Sequence, residues 1–107
     1  MSEQEVFSVI HQDTEAGQHR LELRGELDLM HADVLDQAVS DVRPGDTLIL
    51  DLRPLVFMDS TGIRHLMTLH TRAHAEGWTL QLIPGNETIQ RVFVLCGLDR
   101  HLPFISA

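Results

Sequence analysis

The segment Thr47-Leu48-Ile49-Leu50, closed by Asp46 and Asp51, restricts the possible folds more than any other part of the chain. So short and nearly continuous an apolar run offers no polar side to water, which predicts an interior strand covered on both faces. Helices must supply that cover, and the flanking sequence provides the patterns for them. From His31 onward, Val34, Leu35, Ala38, Val39 and Val42 recur at helical spacing, with Asp33, Asp36, Gln37 and Ser40 on the opposite face. Arg43-Pro44-Gly45 ends that helix, because proline breaks the hydrogen-bond ladder and glycine tolerates the turn.

A second helix is expected over Ser60 to Glu76, with Ile63, Leu66, Met67, His70 and Ala73 as its inward stripe and Gly77 as its stop. A third follows Pro84-Gly85, with Asn86 as N-cap and Ile89, Val92, Phe93 and Cys96 carrying the period as far as Gly97. Strands are expected at Val6–Ile10 and Leu21–Arg24, joined by a turn over 12–18, and at Thr79–Ile83, with Trp78 anchoring the junction before the last. The tail 101–105 adds a short edge strand, where Pro103 is tolerated. Strands alternating with helices predict one α/β domain over residues 1–107, a small mixed sheet with helices packed against it and right-handed crossovers.

Charge narrows the function. Sixteen acidic residues oppose eight basic ones, all arginine, for a formal charge of −8. That balance disfavours a phosphate backbone, so no nucleic acid is expected, and it favours a protein surface carrying arginine or lysine. The opening MSEQEVFSVI has neither a basic n-region nor an apolar h-region, and no apolar stretch is long enough to span a bilayer, so a cytoplasmic protein without membrane contact is expected. Cys96 has no partner for a disulfide and is expected to be buried as a small hydrophobe.

The polar tetrapeptide Asp59-Ser60-Thr61-Gly62 stands between a strand and an amphipathic helix. Two readings of it remain open. Asp59, Ser60 or Thr61 can cap the orphan amides of the helix; alternatively, Ser60 is an exposed hydroxyl whose phosphate would be stabilised by those amides and the helix dipole. Gly62 is likewise open: it either clears space for an approaching enzyme or avoids a clash with a neighbouring strand, although it weakens the helix by about 1 kcal/mol relative to alanine.

Asp59-Ser60-Thr61-Gly62 preceded by Phe57-Met58, together with Gly25-Glu26-Leu27-Asp28 after the early strand, resembles the STAS domain of bacterial anti-sigma-factor antagonists. Asp51-Leu52, Gly77, and Val92-Phe93 to Gly97-Leu98 fall where that family has comparable features, so the resemblance covers nearly the whole chain. It implies a partner switch. The unphosphorylated form binds an anti-sigma factor that is also a serine kinase, phosphorylation of Ser60 ends the binding, and a PP2C-type phosphatase restores it. On this resemblance Asp28, Asp59, Ser60, Thr61 and Gly62 contribute to partner binding. Arg64 joins them; with His65 it stands where many relatives carry small or apolar residues, a place suited to tuning which kinase is recognised. The resemblance also leaves a second reading, a STAS scaffold or transport-complex subunit with no sigma factor involved.

Enzymatic readings find no support. Ser60 is not in a G-x-S-x-G setting, and the scattered glycines form neither a Walker loop nor a dinucleotide fingerprint. His70 and His74 are spaced as in some zinc helices, but Thr71, Arg72 and Ala73 lie between them and the H-E-x-x-H glutamate is missing. No catalytic residue, metal or cofactor is therefore expected, and the chain reads as a kinase substrate. Arg53, Pro54, Asp33, Asp36 and Asp41 read as solvated surface.

Overall fold

The computed structural model describes residues 6–105. Its elements run β1 (Ser8–Gln12), β2 (Gln18–Leu27), a 3-10 turn (Leu29–His31), α1 (Ala32–Ala38), β3 (Thr47–Asp51), β4 (Leu55–Met58), α2 (Ser60–Glu76), β5 (Thr79–Ile83) and α3 (Glu87–Leu95). The result is the expected small α/β fold, a mixed five-stranded sheet with helices packed on it.

The sheet order is β1-β2-β3-β5; β1 and β2 form an antiparallel hairpin, while β2, β3 and β5 run parallel. β4 also pairs parallel with β2, further along. Glu22 lies opposite Asp51, Gly25 opposite Leu55 and Glu26 opposite Phe57, so β4 prolongs the line of β3 after a turn and a register shift. The sequence did not suggest this extra strand, because Pro54 interrupts the run. The chain at 101–105 adds one parallel bridge, Leu82 to Phe104, on the β5 edge, as expected of the tail.

Period-two alternation sends Leu21, Leu23 and Leu27 of β2, Leu48 and Leu50 of β3, and Leu80 and Leu82 of β5 into one core with Leu35, Ile63, Leu66, Leu69, Ile89 and Phe93. Phe93 meets the Phe104 ring edge-on with centroids 5.1 Å apart, which fastens α3 to the tail. Trp78 is buried and donates from Nε1 to Glu76 Oε1 at 3.1 Å, anchoring the entry to β5. Gly77 closes α2 in the left-handed conformation at φ 80°, and Asn86 caps α3 by accepting from the Ile89 amide at 2.9 Å.

Several expectations are corrected. β1 is displaced to Ser8–Gln12, leaving Val6 exposed and Phe7 buried before it. α1 stops at Ala38, and Val39 and Val42 are held instead by turn hydrogen bonds. Met67 is exposed, and Leu69 occupies the inward stripe in its place. Cys96 follows α3 and is exposed. β3 is not covered by helices on both faces. Ile49 is half-buried, and its face of the sheet carries Arg20, Glu22 and Asp51 instead.

Asp51 explains how that face is held. It is 1% exposed. Its carboxylate accepts from Arg53 Nε and Nη2 at 2.9 and 2.7 Å and from the Arg53 amide at 3.0 Å, with Arg20 at 3.9 Å. Arg53, read from sequence as solvated surface, thus has a defined structural partner. Burial pushes the Asp51 carboxyl upward, but the Arg53 hydrogen bonds and the charges of Arg53 and Arg20 outweigh it and hold it below the usual carboxylate range. A folded-state pKa below the unfolded one means stabilisation that is present above the unfolded value and lost as pH falls through the folded one. Asp51→Asn is expected to cost about 2 kcal/mol at neutral pH. In urea unfolding repeated below about pH 4, the gap between variant and wild type should narrow.

Candidate functional site

Two loops meet at the carboxyl ends of β2 and β4, the end of a parallel sheet where binding sites of α/β proteins gather. After β2, Asp28 takes up extended backbone and caps the 3-10 turn, its Oδ1 accepting from the Met30 amide at 3.0 Å. His31 Nδ1 stands 2.7 Å from the same oxygen but off the hydrogen-bonding direction. With Asp28 and His31 drawn inward, Leu29 and Met30 project to solvent at 71% and 80% exposure.

After β4, Asp59 is the N-cap of α2, its Oδ1 accepting from the Gly62 amide at 2.9 Å. This assigns the capping duty that the sequence left open among three residues. Ser60, the first helical residue, is exposed, and among the described residues its hydroxyl makes no hydrogen bond. Thr61 is half-buried. Gly62 is buried, and a Cβ placed there would lie 2.5 Å from the Leu27 carbonyl oxygen and 2.8 Å from Met58 Cγ. The glycine therefore serves close packing of α2 against β2. The Asp59 amide reaches the same Leu27 carbonyl at 3.4 Å.

Asp28, Asp59, Ser60, Thr61 and Gly62 are thus brought together by the shared contact at Leu27. Arg64 lies one helical turn beyond Ser60, exposed and without an ion pair among the described residues. Ser60, Arg64 and Met67 follow one another on the same helix face, and Arg64 and Met67 line a shallow groove of about 340 Å³ with Thr68, Thr71 and Arg72. His65 is half-buried beside α1, its Nε2 2.9 Å from Asp36 Oδ1 but off the hydrogen-bonding direction. Asp36, read as solvated surface, lies near His65 and, at 4.0 Å, Arg72.

Sequence reasoning missed Leu29 and Met30. Their signal was two large apolar residues directly after a capping aspartate and outside the helical period that follows. It also missed the exposure of Phe57, which follows Val56 on the short β4 and precedes the motif. His70 and His74 line a surface groove with Thr71 and Ala75; among the described residues, no three metal-ligating side chains come together. Among the same residues, no helix is long and apolar enough to cross a membrane.

Comparison with known proteins places this geometry. A family model described as "Mlab, STAS domain" matches residues 10–105. The chain belongs to the STAS domain family. Its fold is shared with an anti-sigma factor antagonist from Mycobacterium paratuberculosis at 24% identity and a TM-score of 0.74, covering 100% of this chain and 92% of that one. The phosphorylated form of the Bacillus cell fate determinant SpoIIAA matches at 22% identity and 0.67, covering 94% and 91%. A sulfate transporter family protein from Wolinella succinogenes matches at 19% and 0.69, covering 89% and 82%.

The division of labour within the STAS motif is open to measurement by urea unfolding. Asp59→Ala is expected to lose about 1 kcal/mol with the cap, and Ser60→Ala to stay within about 0.5 kcal/mol of wild type. Gly62→Ala should cost about 1–3 kcal/mol despite alanine's better helix propensity, because the added methyl meets a backbone carbonyl.

Proposed function

We propose that this protein is an anti-sigma factor antagonist whose binding is switched by phosphorylation of Ser60. The observation that carries the reading is that Asp59 takes over the cap, leaving Ser60 exposed and without a structural duty. The exposed Leu29, Met30 and Phe57 beside it offer apolar area at the same end of the sheet. Aromatic and methionine anchors surrounded by polar groups are typical of protein interfaces. Two proteins of this fold carry supporting descriptions: one is an anti-sigma factor antagonist, and SpoIIAA exists in a phosphorylated form.

In the proposed cycle the unphosphorylated chain binds, in the cytoplasm, an anti-sigma factor that is also a serine kinase, and the sigma factor is released. Asp28, Asp59, Thr61, Gly62 and Arg64 surround the acceptor on the bound face. The Ser60 hydroxyl then attacks the γ-phosphorus of the kinase's ATP. An ester O–P bond forms, the bond to the β-phosphate oxygen breaks, ADP leaves, and the hydroxyl proton passes to a base of the kinase. The product carries a charge of about −1.5 to −2 at neutral pH where the interface had a neutral hydroxyl. Desolvating that charge opposes rebinding, and a PP2C-type phosphatase hydrolyses the ester to reset the switch. The chain itself performs no catalysis in this scheme.

A STAS module within a transport complex is the second reading, favoured by the shared fold of the Wolinella succinogenes sulfate transporter family protein. Phosphopeptide mapping of the protein recovered from its native cells decides between them. One phosphate on Ser60 is the expected result, and an unmodified Ser60 under every growth condition would favour the transport reading. With the purified anti-sigma kinase, Ser60→Ala should bind as tightly as the unphosphorylated wild type. Ser60→Asp should bind on the order of a hundredfold more weakly by calorimetry.

A further inference from the structure

We propose that Arg64 is the intramolecular partner of the Ser60 phosphate, so that modification both adds charge at Ser60 and withdraws Arg64 from the outer face of α2. The inference rests on the reading of Ser60 as the acceptor and specifies how this chain accommodates its own phosphate.

The argument begins with the charges already present. Asp59 immediately precedes the acceptor and Asp28 follows Leu27, whose carbonyl touches the first turn of α2, so a phosphate arriving there in a chain of net charge −8 needs a cation. The neighbouring guanidinium of Arg72 is committed, within 3.4 Å of Glu76 and 4.0 Å of Asp36, and the imidazoles of His31 and His65 stand beside Asp28 and Asp36. Arg64 is exposed and among the described residues has no such partner.

Its position is suited to the task. Residues four apart on a helix have Cβ atoms about 5–6 Å apart, and an anion placed N-terminal to its cation is the better order. The guanidinium fork can offer two parallel N–H donors to phosphate oxygens, which a lysine ammonium does not. In the unmodified chain Arg64 helps line the α2 groove with Met67, Thr68, Thr71 and Arg72. Pairing with the phosphate turns it back toward Ser60 and removes a positive contact from that groove.

The test uses the full chain with phosphoserine installed at position 60 during translation, so no kinase is required. Phosphorus NMR follows the phosphomonoester between about pH 4 and 8, around its second ionisation. A neighbouring cation favours the dianion, so the wild-type phosphate should titrate a few tenths of a pH unit below that of Arg64→Gln. The difference should shrink at about 1 M salt. Arg64→Lys should restore part of the shift, and Arg72→Gln should leave it unchanged. Without phosphate, wild type and Arg64→Gln should unfold at the same temperature, which separates pairing from a general structural role. Superimposable titration curves for wild type and Arg64→Gln would overturn the proposal. That outcome is independent of phosphopeptide mapping in native cells, which tests the acceptor assignment by itself.

Discussion

The close approach of α2 to the Leu27 carbonyl holds the site together. The missing side chain of Gly62 lets the first turn of the helix settle onto the end of β2, where the Asp59 amide reaches the same oxygen. Because Asp28 follows Leu27 directly, this one contact sets the spacing between the two polar loops. A bulkier residue at either place would push the loops apart and spoil both caps. The helix-weakening glycine in its first turn thus has a structural reason, and the loss in propensity is offset by packing that alanine cannot make.

Electrostatics divides the molecule in two. On the sheet face away from the leucine core, Asp51 is satisfied by Arg53 and approached by Arg20, so its charge belongs to the fold. At the α1–α2 boundary the exposed Asp36 lies near His65 and Arg72 without a hydrogen bond from either. The end of the sheet near Ser60 is different. There the carboxylates of Asp28 and Asp59 are turned toward backbone amides, and the nearby hydroxyl and guanidinium are left open to solvent.

How much of this the sequence carried depended on the range of the interaction. α2 and β5 were legible to the residue, because their signals are local: an apolar period, a cap and a terminating glycine. Asn86 and Gly77 were read for the same reason. The inward choice of Leu69 over Met67 was not, since both lie at the margins of the stripe and only the packed sheet decides between them. Asp51 and Arg53 stand two apart yet read as unrelated, because the turn that folds one guanidinium back onto the carboxylate comes from the break between β3 and β4. The STAS motif was visible as a string, whereas the job of Gly62 depended on a carbonyl 35 positions earlier in the chain.

The register shift within β4 also bears on how the chain can change over evolution. Leu55 and Met58 point inward while Val56 and Phe57 stand consecutively on the outside, and Gly25 and Glu26 pair with Leu55 and Phe57, so Val56 is the extra residue of a bulge. A bulge bends its strand and increases the local twist, and here it aims the segment that leads into Asp59 and Ser60. Deleting Val56 would let β4 pair with β2 in plain alternation, yet the bend would be lost and the serine would leave the sheet in another direction. The exposed side chains of β4 can therefore vary while the number of residues from Leu55 to Asp59 stays fixed.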